Sequence, residues 1–288
     1  MQAMDNFVLE NEAAIRLGFF LGIFLLMALW EIVAPRRELT RSKGERWLNN
    51  IGLVVLNTLV LRFLFPAAAV GVALYASEQQ WGLLNQLGWP EGLQILVAII
   101  LLDGAIYLQH VMFHAVPVFW RLHRVHHADL DFDVTTGARF HPIEIVLSML
   151  VKFAVIILLG PPLVAVVIFE VILNMLSMFN HANARLPLPL DRVLRWLIVT
   201  PDMHRVHHSH LQHETNSNFG FNLSIWDRLF GTYRDQPQDG HTNMVIGIDT
   251  WRDAAHCVHL PGLLLMPFRG KVTDYAINRR DWNTDSEG

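Results

Sequence analysis

Residues Ile143 to Phe179 read IEIVLSMLVKFAVIILLGPPLVAVVIFEVILNMLSMF, and this stretch decides the fold. Gly160-Pro161-Pro162 cuts it in the middle. Proline lacks an N–H and clashes with the preceding turn, so the run predicts two helical arms joined as a hairpin. Each arm has roughly 18 residues, or about 27 Å at 1.5 Å per residue, close to the hydrocarbon thickness of a bilayer. Arms of that length either cross a membrane or dip into it, and both readings stay open.

Three apolar stretches precede the hairpin: Leu17 to Ala34, Ile51 to Ala76, and Leu93 to about Val118. The whole chain is 52% hydrophobic and 17% charged, with a mean hydropathy of +0.32. Soluble domains carry about 25% charged residues, so this chain exposes apolar surface to lipid. The expected fold is all-α: an integral-membrane bundle of about four transmembrane helices, the last two a hairpin. The first stretch is read as a retained span, not a signal peptide, because Asp5, Glu10 and Glu12 precede it and no small-residue cleavage pattern follows. A net charge of -4 offers no field for nucleic acid. A single cysteine, Cys257, excludes an intramolecular disulfide and a thiolate metal cluster.

Arg36, Arg37, Arg41, Lys43 and Arg46 follow the first stretch, whereas Ser77 to Glu91, after the second, has no lysine or arginine. The positive-inside rule then puts the N-terminus outside and residues 35–48 in the cytoplasm. Counting onward places the histidine clusters on the cytoplasmic face. Arg62 and Lys152 are read as snorkelling to an interface. Cys257 to Phe268 is too short to span and predicts an interfacial segment or a core helix. The polar tail from Arg279 to Gly288 is expected to fray.

Fifteen histidines occur; none lies in the first 109 residues and twelve lie between His110 and His213. They form His110-x-x-x-His114, His123-x-x-His126-His127 and His204-x-x-His207-His208, with His181 between the last two groups. Residues at i, i+3 and i+4 share a helix face, so each motif can aim its imidazoles together. Neutral imidazole binds iron, zinc and copper, and nine histidines exceed what one metal can hold. Two metals sharing the cluster is the simplest account. Asp103, Tyr107, His110 and His114 form one helical stripe, and Glu170, Asn174, Ser177 and His181 repeat its offsets. Ionisable groups at membrane depth are usually functional. Asp103, Tyr107, Glu170 and Asn174 are therefore read as groups that orient ligand imidazoles, against the alternative that they bind helix to helix. His141 is either a further ligand, an orienting group or a helix-start residue. His210 and His213 are expected to face solvent, and His241, His256 and His259 carry no motif.

The motifs DGAIYLQH (103–110) with His114, LHRVHH (122–127), FHPIE (140–144), HRVHHS (204–209), Asn218-Phe219-Gly220 and WDRLFGT (226–232) resemble the fatty acid hydroxylase and sterol desaturase superfamily. The resemblance implies a four-span all-α bundle under a cytosolic histidine-rich helical cap, in a bacterial inner membrane or endoplasmic reticulum. It implies a two-metal centre, iron in active enzymes and zinc in some isolated proteins, and O2-dependent oxidation of a lipid C–H bond. His110, His114, His123, His126, His127, His204, His207 and His208 match its ligand motifs, and His181 matches a more variable position. Residues 226–232 are expected to shape the cap. Hydroxylation is favoured over desaturation on the resemblance alone. No iron–sulfur cysteines or dinucleotide fingerprint occur, so an external donor is implied, a reductase with ferredoxin or cytochrome. On this reading residues 1–92 are membrane helices, 93–235 the catalytic domain and 236–288 an interfacial segment and tail. Three rivals remain. A metallohydrolase would want an acid among its ligands, as in HExxH, which is absent; a haem protein would leave the HxxHH trios surplus. A non-enzymatic metal-binding or transport protein would want ionisable residues through several spans, and the first two offer almost none.

Overall fold

In a computed structural model the described residues are 2–272 and Ile277, with side chains from Phe7 onward. The expected frayed tail beyond Arg279 lies outside them. Fifteen α-helices and no strand occur among the described residues. The long ones come first: α1 (Gln2–Val33), α2 (Lys43–Leu64), α3 (Ala68–Glu78), the short α4 (Leu83–Gln86), α5 (Glu91–Ala115), α6 (Pro117–His127), α7 (Pro142–Leu159) and α8 (Leu163–Asn180). Seven short helices follow: α9 (Leu188–Leu194), α10 (Pro201–His207), α11 (Gln212–Thr215), α12 (Ile225–Leu229), α13 (Gly240–Asn243), α14 (Ala254–Cys257) and α15 (Leu260–Leu265).

Five helical segments are long and apolar enough to cross a membrane, by length and composition, where the sequence suggested about four. Both hairpin arms qualify, 18 residues each. Gly160 turns the hairpin in the left-handed region at φ 60, a conformation that glycine adopts without steric cost. A side chain there is also excluded, because its Cβ would lie 2.3 Å from the Trp81 carbonyl oxygen. The second apolar stretch corrects the expectation of one continuous span over 51–76. Its helix starts earlier, at Lys43, and stops at Leu64 before Phe65-Pro66. Pro66 ends it for the same reason that Pro161 splits the hairpin: the ring removes a donor and pushes the preceding residue out of helical geometry. The chain then resumes as α3, which packs on α7 and α8.

α8 is the hub. It packs against α1, α3 and α5 and buries 56% of its apolar window, against 11% for α1 and α7. The outer helices therefore present their apolar residues outward, as lipid-facing helices do. At one end of the bundle the loop between α1 and α2 is tied to the histidine-bearing segments. Arg46 forms a buried ion pair with Asp129 at 2.7 Å, and Asp131 accepts backbone N–H bonds from Thr40 and Arg41. Arg36 pairs with Asp202 at 2.9 Å on α10. The basic loop and the histidines thus share one end of the molecule. Residues 257–268 form the end of α14, α15 and a short 3-10 turn, with Cys257, Leu263 and Met266 in a core cluster against Trp120 and Val125 of α6; the core-helix reading applies.

Candidate metal centre

Four helices, α5, α6, α8 and α10, carry the nine histidines. α5 carries His110 and His114 in its last two turns, and stops at Val116 because Pro117 opens α6 at its first position. α6 then carries His123, His126 and His127. α10 is opened by Thr200, whose hydroxyl accepts the Met203 N–H at 3.3 Å, with Pro201 at its first position; it carries His204, His207 and, as its C-cap, His208. His181 is the C-cap of α8. All nine are buried, and they fall into two adjoining groups. His110, His114, His123, His127 and His207 form one, and His126, His181, His204 and His208 the other. Within each group the candidate ligand atoms lie within 4.8 Å of one another.

The hydrogen bonds say what these nitrogens can do. His110 Nδ1 lies 2.8 Å from the Phe219 carbonyl oxygen and His207 Nδ1 2.7 Å from that of Ser217. A carbonyl only accepts, so each ring donates its Nδ1–H and leaves Nε2 bare. Yet the two Nε2 atoms face each other at 3.0 Å. Two lone pairs at that distance repel unless a cation lies between their axes. Two nitrogens bound at about 2.1 Å and at right angles to one metal sit about 3.0 Å apart, so the spacing suits shared coordination. Nε2 atoms also approach to 3.1 to 3.2 Å for His110 with His123, His114 with His127, and His181 with both His126 and His204, spacings that suit shared coordination as well. His208 is buried with neither ring nitrogen hydrogen-bonded among the described residues. The donor set fits a pair of metal ions. Burial pushes His123 and His181 down to about 3 and holds His207 well below the usual histidine range, so all three rings are neutral at physiological pH, as metal ligands must be.

The orienting groups differ from those expected. Asp103 accepts from Trp226 Nε1 at 2.8 Å and from the Leu223 N–H; Tyr107 bonds Thr232 through its hydroxyl at 2.9 Å. Glu170 pairs with Lys152 and Arg16, so Lys152 does not snorkel, and Asn174 donates to the Glu170 carbonyl. None of the four bonds an imidazole among the described contacts. His141 joins neither group: its Nδ1 caps α7 by accepting the Ile143 N–H at 3.2 Å. The side chain that sequence reasoning passed over is Glu144, whose Oε1 lies 2.6 Å from His123 Nδ1. An acid in the first turn of an apolar arm was the available signal. Asn216 Oδ1 faces His114 Nδ1 at 3.2 Å, and the Ser177 carbonyl faces His181 Nδ1 at 2.8 Å. Asp227, in the 226–232 motif, accepts from the Phe219 and Gly220 N–H groups and so fixes the carbonyl that meets His110. Burial pushes its carboxyl up to about 6. His213 is exposed and His210 meets Asp249 at 2.8 Å; His241 is buried beside Gln236, and His259 pairs with Glu45 at the surface.

A cavity of about 430 Å³ opens beside His110 and His123, between α1, α2, α5, α7 and α8. Its wall is mostly apolar, with Phe20, Val54, Ile106, Phe113 and Leu173 among the lining residues.

A family profile described as fatty acid hydroxylase matches residues 95–232. The chain is 26% identical over 234 residues to the ornithine lipid hydroxylase OlsE of Rhizobium tropici, covering 79% of this chain and 69% of that protein. It is 29% identical over 224 residues to the alkylglycerol monooxygenase of Xenopus tropicalis, covering 75% and 49%. It is 31% identical over 217 residues to the alkylglycerol monooxygenase of Homo sapiens, covering 75% and 46%. The chain thus spans about half the length of these two monooxygenases. No solved structure shows a significant match.

Proposed function

Residues 95–232 belong to the fatty acid hydroxylase and sterol desaturase superfamily, and from that premise we propose that the chain is an O2-dependent lipid hydroxylase whose nine clustered histidines hold two iron ions. Its relatives are hydroxylases and monooxygenases, and it is an oxidoreductase like them. The observation that carries the metal is the 3.0 Å approach of His110 Nε2 and His207 Nε2, both left without a hydrogen because each ring donates its Nδ1–H to a carbonyl. The five-histidine group holds one ion and the four-histidine group the other. Bound iron supplies the reduction of O2 and the removal of hydrogen from an unactivated carbon.

The remaining tasks fall to the chain itself. Glu144, Asn216 and the carbonyls of Ser177, Ser217 and Phe219 hold the imidazoles in one tautomer and orientation. The apolar walls of the cavity exclude water and hold a hydrocarbon chain. Electrons come from a separate reductase with ferredoxin or cytochrome. The protein is multi-pass, with the N-terminus outside and the histidine end in the cytoplasm.

The test is to supply isotopically labelled O2 and a reductant to membranes containing the protein and follow the lipids by mass spectrometry. Hydroxylation gives a product carrying one labelled oxygen. An unlabelled product lacking two hydrogens makes the protein a desaturase, and no O2-dependent change favours a metal-binding role without catalysis. For topology, a cysteine at Glu38, in the basic loop, should resist an impermeant thiol reagent applied from outside, and one at exposed Gln79 should react. Native Cys257 is buried and adds little background.

A further inference from the structure

The cavity wall beside the histidines is chemically one-sided. Asn57 Oδ1, Gln109 Oε1 and Glu144 Oε2 all belong to residues that line it, and all three atoms are buried with no hydrogen-bond partner among the described residues. Asn57 and Glu144 are only 7% and 3% exposed. The orientation of the Asn57 amide is fixed, since its Nδ2 donates to the Phe140 carbonyl at 2.9 Å and the oxygen is left over. Glu144 spends Oε1 on His123 Nδ1 and leaves Oε2 over. Gln109 donates to Ser148 Oγ at 2.9 Å. Glu144, Ser148 and Lys152 follow one another at four-residue intervals on the cavity face of α7. Lys152, about 12 Å from Glu144 along that helix by its rise, pairs with Glu170. The end of the cavity near the histidines therefore offers acceptors, and the cation sits at the other end. A buried acceptor left without a donor is unfavourable, so a ligand that fills this end gains most by bringing O–H or N–H groups.

We propose that the cavity takes a lipid whose neutral polar group carries hydrogen-bond donors, an alcohol or a carboxamide. Asn57 Oδ1 and Gln109 Oε1, amide oxygens that only accept, take its O–H or N–H bonds beside His110 and His123. Asn57 is then a specificity-determining residue, and the carbon nearest the histidines is one close to that polar group. A carboxylate or phosphate brings no donor and sets acceptor against acceptor, which makes a free fatty acid the disfavoured ligand. The placement of the reacting carbon rests on the oxygenase reading; the choice of polar group does not.

The experiment measures binding of five lipids of one chain length to the purified full chain in nanodiscs: the primary alcohol, its methyl ether, the primary carboxamide, its N,N-dimethyl derivative and the carboxylic acid. The alcohol and the carboxamide should bind at least about tenfold more tightly than the other three, and comparing them says which donor is preferred. In Asn57→Leu that advantage should shrink to within about threefold. Methyl ether binding within threefold of the alcohol, the acid binding most tightly, or no saturable binding of either donor lipid overturns the proposal, and the wild-type series decides it even if the variant fails to fold. Metal content and O2 uptake on the same preparation keep the two readings apart. A donor preference in protein that holds no metal leaves this inference standing and defeats the oxygenase. Equal O2-dependent oxidation of all five lipids does the reverse.

Discussion

The two histidine groups are built from the same residue type in adjoining space, yet they are supported differently. In the five-histidine group, four rings have an oxygen at Nδ1: His110, His114, His123 and His207. In the four-histidine group His181 has one, while Nδ1 of His126, His204 and His208 is buried without a partner among the described residues. Fixed partners choose the tautomer, lock the ring and raise its basicity. Rings without such partners are held by packing, as His126 is against Phe140 and His208 against Phe132, and no Nδ1 hydrogen bond among the described residues selects their tautomer. One group is thus fixed mainly by hydrogen bonds at Nδ1 and the other mainly by packing. On the proposed function, this difference makes the five-histidine ion the tightly held one.

The strongest way to break this comparison is to remove a proposed ligand from the hydrogen-bonded group. His207→Ala should abolish lipid oxidation and strip the ion of the five-histidine group, while the protein still inserts through its apolar spans. Elemental analysis and O2-dependent product formation on purified protein check both. Full metal retention would show that His207 is not a ligand.

Removing support in place of a ligand should do less. Glu144→Ala leaves His123 free to rotate and should weaken metal binding by about 10–100-fold, with Glu144→Gln recovering part of the loss because its amide oxygen still accepts from Nδ1. Metal titration of the apo protein measures this. Chelation compares the two groups directly. The poorly supported ion should leave first, in a release with two phases separated by about tenfold in rate. A single phase would mean that the missing partners do not matter.

What the sequence revealed and what it hid follow from the same geometry. HxxHH spacing puts three imidazoles on one face, so the nine histidines were legible without knowing how the helices meet. The stripe from Asp103 to His114 has the same regularity, but it climbs about 16 Å along α5. Its histidine end reaches the cluster, and its Asp103 end meets Trp226 and Leu223. Spacing gives the face of a helix and says nothing about which neighbour occupies that face at each depth. The stripe on α8 fails similarly, with Glu170 drawn to cations on α1 and α7. Carbonyls of Phe219, Ser217 and Ser177 had no signature at all, since every residue carries one. Glu144 and Pro66 were legible: the rules that singled out Glu170 and split the hairpin at Pro161 apply to them unchanged.

Asp103→Asn sharpens the comparison at its smallest effect. Asp103 is 2% exposed, and its Oδ2 accepts from both Trp226 Nε1 and the Leu223 N–H. These bonds fasten the α12 segment to α5, so the carboxylate joins cap to bundle. Asparagine keeps one oxygen but replaces the other with a donor. That weakens a charge-assisted bond by about 1–3 kcal/mol and lowers the melting temperature in detergent by several degrees. Metal content should stay at the wild-type level, because no bond connects Asp103 to an imidazole among the described contacts. Had the carboxylate oriented a ligand, the same substitution would reduce metal affinity by about 10–100-fold, as Glu144→Ala should. A metal loss of that size in Asp103→Asn, with an unchanged melting temperature, would restore the orienting role that the stripe alone suggested and assign the Trp226 contact to packing.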